Sequence, residues 1–135
     1  MKSILLNLGI VLLFVSCSKY PDGPGVSLLT RKSRMVNHWE LETATANGES
    51  WTPYFPLKEM ELRDDNSQTT TFRTLNVPTV LDGKWEFEQQ KEHLKLTFNN
   101  GTIYTYRIFK LKKDELRLEA RSNDTTYILN YITYK

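Results

Sequence analysis

Apolar side chains recur at every second position over most of the chain. Trp39 and Leu41 alternate with His38, Glu40 and Glu42; Met60 and Leu62 alternate with Glu59, Glu61 and Arg63; Trp85 and Phe87 alternate with Lys84, Glu86 and Glu88. The same holds for Leu94, Leu96 and Phe98 against His93, Lys95 and Thr97, and for Leu116, Leu118 and Ala120 against Arg117, Glu119 and Arg121. Successive side chains of a strand point to opposite faces, so a period of two describes half-buried strands with their charges outward. Thr70, Phe72 and Thr74 predict another strand, and residues 102–112 and 125–134 two more. Residues 102–112 are two-sided: Ile103, Phe109 and Leu111 share one face, and Tyr104, Tyr106 and Ile108 the other, so both faces are expected to meet apolar neighbours.

Punctuation between these runs is short. Asp82-Gly83, residues 89–92, Asn99-Asn100-Gly101, Lys113-Asp114 and Asn123-Asp124 read as turns, Asn-Gly because it tolerates the positive φ of tight hairpins. Ahead of the strands, Ser27 is placed to cap a short helix over residues 28–36. Leu28 and Met35, and Leu29 and Val36, are spaced to share one face, and Arg31, Lys32 and Arg34 take the wet side as a solvated face. No long amphipathic helix follows. Parallel crossovers need a dozen or more residues, so about eight strands joined by short turns must be antiparallel neighbours in chain order. The predicted fold is all-β: an up-and-down barrel of about eight strands with a short N-terminal helix, closed on itself to bury one apolar face and remove its edges.

The first residues follow a different logic. Lys2 precedes an apolar run from Ile4 to Val15, interrupted by Asn7 and Gly9, and Ser16 then precedes Cys17. About a dozen apolar residues are too few to span a bilayer, which takes about 20, so residues 1–16 read as a secretory signal. Removing 16 of the 135 residues leaves 119, enough for one domain over residues 27–135. Residues 17–26, with Pro21, Gly23, Pro24 and Gly25, read as a tether. Loss of Lys2 lowers the formal charge from +2 to +1, which leaves no basic field for a nucleic-acid backbone. Cys17 is the only cysteine and His38 and His93 are the only histidines, so neither a disulfide framework nor a Cys-rich metal site can be built.

Phe14-Val15-Ser16-Cys17 resembles a bacterial lipobox. The resemblance implies diacylglycerol on the Cys17 thiol, cleavage before Cys17, and acyl chains that hold the protein on a membrane. Residues 18–22 lack the acidic run that resembles a surface-export signal, which implies an outer-membrane protein facing the periplasm. The order of Cys17, Asp22-Gly23-Pro24-Gly25, Ser27-Leu28, the basic helix, Trp39, Asp82-Gly83-Lys84-Trp85 and Leu94-Lys95-Leu96 resembles the lipocalin-like lipoproteins of Bacteroidetes. That resemblance implies a barrel that binds a small ligand, with the loop between the first two strands across its mouth.

Chemistry has two places to sit. The interior set Trp39, Leu41, Met60, Leu62, Phe72, Trp85, Phe87, Leu96 and Phe98 either lines a cavity or fills it, and Trp39, Phe72, Trp85, Phe87 and Phe98 are the candidate ligand contacts. In residues 48–56, Trp51, Tyr54 and Phe55 follow no strand period and either lid the mouth or cap the core. Catalytic motifs, metal clusters and cofactor loops are not found. His38 and His93 are expected to be exposed, and Glu40, Glu42, Glu59, Glu61, Glu86 and Glu88 to be solvated. The expectation is a non-enzymatic, membrane-anchored carrier of a small hydrophobic or amphipathic molecule, without a cofactor. The alternative is a filled barrel that docks on another cell-envelope protein.

Overall fold

The computed structural model describes residues 30–134. After a one-turn helix, α1 (Arg31–Met35), come β1 (Asn37–Ala46), β2 (Glu49–Ser50), β3 (Leu57–Leu62), β4 (Ser67–Thr74), β5 (Val77–Glu88), β6 (His93–Phe98), β7 (Ile103–Leu111), β8 (Glu115–Ser122) and β9 (Thr125–Thr133). Every pairing is antiparallel between chain neighbours, β2 only turns back on the end of β1, and β1 also pairs with β9. The result is a closed barrel of eight strands, as the alternation predicts. The closing pairs and the buried cluster from Met35 to Tyr131 all lie within the described residues.

Three bulges shift the inward phase, which a strict period of two cannot anticipate. In β1 the register slips between Leu41 and Thr43, so that Trp39 and Ala44, five apart, are both buried. In β3 a slip between Leu57 and Glu59 lets Leu57 and Met60 both point inward. In β7 a slip between Ile108 and Lys110 turns Tyr106, Ile108 and Leu111 inward. That bulge corrects the two-sided reading of residues 102–112: Ile103 is exposed, and Phe109 is half-buried with the Arg107 guanidinium 4.9 Å from its ring.

One turn is also corrected. Asp82-Gly83 lies inside β5, and the chain reverses at Leu75-Asn76 instead. Gly83 is needed because a Cβ there would stand 2.0 Å from the Thr97 carbonyl oxygen of β6, and a strand glycine permits that close approach. Asp82 accepts a hydrogen bond from the Thr69 hydroxyl at 2.7 Å across the ladder. Leu75 and Asn76 have φ of 52° and 65°, the left-handed pair of a two-residue hairpin. A side chain with a Cβ resists that conformation by roughly 1–2 kcal/mol.

An up-and-down connectivity sends alternate connections to opposite ends. The connections after β3, β5 and β7 share one end with α1. The helix cap is Thr30, whose hydroxyl accepts from the Ser33 amide at 3.0 Å; the predicted cap Ser27, with Leu28 and Leu29, lies outside the described residues. Met35 is fully buried, and its carbonyl accepts from Trp39 Nε1 at 3.0 Å. Arg34 Nη1 donates to the Leu111 carbonyl at 2.7 Å and Lys32 Nζ to Asn66 Oδ1 at 3.0 Å. The basic cluster is therefore not a solvated face: two of its side chains fasten the helix over the barrel end. Trp85 completes this end, its Nε1 donating to the Arg63 carbonyl at 2.8 Å while Asn66 Nδ2 donates to the Trp85 carbonyl at 3.0 Å. On β4, Gln68 and Thr70 are fully buried; the Thr70 hydroxyl donates to Gln68 Oε1, and Gln68 Nε2 has no partner.

Candidate functional site: the open mouth of the barrel

The opposite end gathers the β1–β2 turn with the following loop, and the β4–β5, β6–β7 and β8–β9 turns. Here the interior is not filled. A cavity of about 350 Å³ opens between the loop residues Phe55 and Pro56, Leu57 of β3, Phe72 of β4, Tyr104 and Tyr106 of β7, Ala120 of β8 and Tyr127 of β9. Its lining is mostly apolar, with Thr105, Arg121 and Ser122 supplying the polar part. That volume is at the lower end of small-molecule pockets, which run from about 300 Å³.

Aromatic rings build the wall. Phe72 packs against Phe98 at 5.6 Å and Tyr104 at 6.2 Å between centroids, Tyr104 against Tyr106 at 6.3 Å, and Phe55 against Tyr127 at 5.7 Å. Such offset and tilted pairs hold the rings in fixed orientations. Tyr106 is nearly buried, and desolvation, with the Tyr104 phenol next to it, holds its hydroxyl well above the usual phenol range. Tyr131 lies deeper; burial raises its phenol too, and the hydroxyl donates to the Leu57 carbonyl at 3.0 Å. Both remain neutral at physiological pH, so the wall offers hydroxyl dipoles and no buried charge.

The candidate contacts are divided between the two ends. Phe72 lines the cavity, and Phe98 backs it through ring contacts with Phe72 and Tyr104. Trp39, Trp85 and Phe87 do not line it. The two indoles carry the polar bonds of the helix-covered end, and Phe87 packs edge-on against Trp85 at 5.5 Å. Of the loop aromatics only Phe55 borders the cavity; Trp51 and Tyr54 are exposed and lie against each other at 5.0 Å. Tyr104, Tyr106 and Tyr127 are wall residues that the sequence reading did not nominate. The signal was the period-two series Tyr104, Tyr106, Ile108 and the pair Tyr127, Leu129, masked in β7 by apolar residues on both faces.

The histidines are half-buried, not exposed. His38 stacks on Tyr134 at 4.5 Å with 10° between planes, and His93 pairs across the ladder with Arg107, its Nδ1 buried without a partner. The six glutamates stand on the outer phase, exposed or half-buried, and Glu86 and Glu88 both approach Lys95. Among the described residues no three His, Cys, Asp or Glu side chains come together as a metal site. Among them, too, no helix is long and apolar enough to cross a membrane. Cys17 and the tether lie outside the described residues.

Comparison with curated proteins returns no match. The family model described as a lipocalin-like domain matches residues 35–118, more than half of the chain. The matched stretch runs from Met35 of the covering helix through β1 to β7 and into β8, most of the barrel: the chain belongs to the lipocalin-like domain family.

Proposed function

We propose that the protein is a carrier for a small hydrophobic or amphipathic molecule, held at the outer membrane by a lipidated Cys17 and facing the periplasm. The observation that supports the carrier role is the apolar cavity of about 350 Å³ beside a filled, helix-covered half. A barrel that only needed stability gains nothing from the space, since filling it would add roughly 25 cal/mol for each Å² of apolar surface removed from water. The lipobox-like Phe14-Val15-Ser16-Cys17 supports the anchor. The role proposed is binding, not catalysis, and it needs no cofactor.

Titration of the polypeptide 18–135 with a solvatochromic hydrophobic dye tests the carrier reading: saturable one-to-one binding, displaced by a medium-chain fatty acid, is expected. Absence of saturable binding rejects it. For the anchor, Cys17→Ala should move the protein from the membrane to the soluble fraction or leave it unprocessed; retention on the membrane with cleavage at the same bond rejects lipidation.

A second reading, docking on another envelope protein, is favoured by one observation, the exposure of Trp51 and Tyr54 beside the mouth. It predicts that these two rings are protected on partner binding and that no dye is bound.

A further inference from the structure

Among the described residues most of the large apolar side chains that face solvent stand at the mouth; Val80 within β5 and Tyr134 at the other end stand apart. Leu75 at the β4–β5 tip is 91% exposed and Val77 follows it; Trp51 and Tyr54 stand on the loop before β3, and Ile103 and Tyr104 at the start of β7. They occur on three separate projections around one opening, not as one contiguous patch. Each projection continues into the cavity wall, Tyr54 into Phe55, Leu75 back to Phe72, and Ile103 into Tyr104.

Charge is distributed the other way. In the mouth-end connections (residues 47–56, 75–76, 99–102 and 123–124) the only ionisable side chains besides Tyr54 are Glu49 and Asp124. The other end carries Arg31, Lys32 and Arg34 on its helix and further charged side chains in every connection, among them Arg63, Lys91 and Lys113. Lys58, Arg73 and Arg121 stand at the adjoining strand ends, where long cationic side chains can reach past an apolar margin to water. A rim rich in Trp, Tyr, Leu and Val is costly in water and suited to the boundary of an apolar phase, where Trp and Tyr are enriched.

The β4–β5 tip is the clearest case. At the β1–β2 turn the same left-handed pair is made by Asn47-Gly48, residues suited to it, whereas at Leu75-Asn76 an exposed leucine occupies the first left-handed position. Neither hairpin geometry nor packing calls for a leucine there.

We propose that this rim seats on a lipid surface, with Leu75, Trp51 and Tyr54 entering the headgroup boundary, so that a ligand moves between bilayer and cavity without crossing bulk water. The inference rests on the reading of the cavity as a ligand pocket. Charges of both signs stand around the mouth, Glu49 and Asp124 against Lys58, Arg73 and Arg121, so the surface is a zwitterionic one, held by apolar insertion and not by charge.

Flotation of the polypeptide 18–135 with phosphatidylcholine vesicles, in low salt and in 1 M NaCl, tests it, because the closed barrel and its core lie within that polypeptide. Expected is a vesicle-bound fraction that survives high salt and falls at least tenfold in the double variant Leu75→Asn, Trp51→Ser. The variant should keep its dye Kd within twofold and its denaturation midpoint for Leu75→Asn alone unchanged or raised, since asparagine suits the turn. Parent protein that binds dye and stays off vesicles overturns the rim inference and leaves the carrier reading standing. Protein that floats without binding dye rejects the carrier reading and keeps the rim. Binding abolished by salt, or a dimer in sedimentation that the double variant dissociates, overturns the rim inference by assigning the surface to charge or to a second copy.

Discussion

The two ends of this barrel are built from the same alternating strands and reach opposite results. At the helix-covered end, Trp39 and Trp85 have both their ring surfaces and their Nε1 donors satisfied, and Lys32 and Arg34 hold α1 in place with hydrogen bonds to the barrel. At the mouth, the rings of Phe55, Phe72, Tyr104 and Tyr127 meet only partly and leave a cavity. The lesson is that aromatic size alone does not decide whether a small barrel is filled. A large ring fills space where its polar atom finds a fixed partner and a neighbouring element covers it; elsewhere it walls a space. One end therefore carries stability and the other is free to bind.

That division is open to attack residue by residue. Trp85→Ala should have the largest effect, about 3–5 kcal/mol in chemical denaturation, because it empties a packed site and removes one of the two donors to the Arg63 carbonyl, leaving the Asn66 amide. Glu86→Ala next to it, on the outer face, should cost within about 0.5 kcal/mol. Equal losses would sink the inward assignment of Trp85.

Gly83→Ala should follow, at about 1–3 kcal/mol, since the added Cβ meets backbone of Thr97 and Phe98 and not a side chain that can turn aside. Unchanged thermal unfolding would mean that β5 and β6 can separate at this point without cost. Phe72→Ala belongs to the mouth: its ring is only partly buried, so a loss of roughly 1–2 kcal/mol is expected with a dye affinity at least tenfold weaker. A loss as large as that of Trp85→Ala with unaltered affinity would make the mouth part of the plug.

The smallest effect concerns an ion pair at the helix-covered end. A hydrogen bond from Lys110 Nζ at 3.0 Å lowers the pKa of Glu115 below the usual carboxylate range. A depressed carboxylate contributes stability above its unfolded pKa of about 4.3, and that contribution fades as pH falls through the folded value. Because Glu115 is half exposed, solvent screening limits the effect to roughly 0.3 kcal/mol at pH 7. Glu115→Gln should show that difference at neutral pH and none in strong acid; a difference that grows on acidification would reverse the sign argued here.

The strand count, the antiparallel order, the closure and most inward residues were legible because one face of each strand is buried, which imposes a period of two. What was not legible traces to particular residues. The bulges at 41/43, 57/59 and 108/110 change phase without a residue type that announces them. Leu75-Asn76 lacks the glycine that marks a tight hairpin, while Gly83 has one without turning, since its role is a close contact two strands wide. The basic helix residues looked solvated because hydropathy cannot show a guanidinium reaching a carbonyl at position 111. The cavity itself was undecidable, because which aromatics cover each other depends on the ends at which the connections lie.

The most direct test of the account is to fill the mouth. Ala120 is half-buried on the cavity wall, and a larger side chain there has room to enter the space it borders. Dye titration of Ala120→Trp beside the parent polypeptide is the measurement. The account predicts that saturable binding disappears while the denaturation midpoint is unchanged or higher; binding that persists at parental affinity in a folded variant would contradict it.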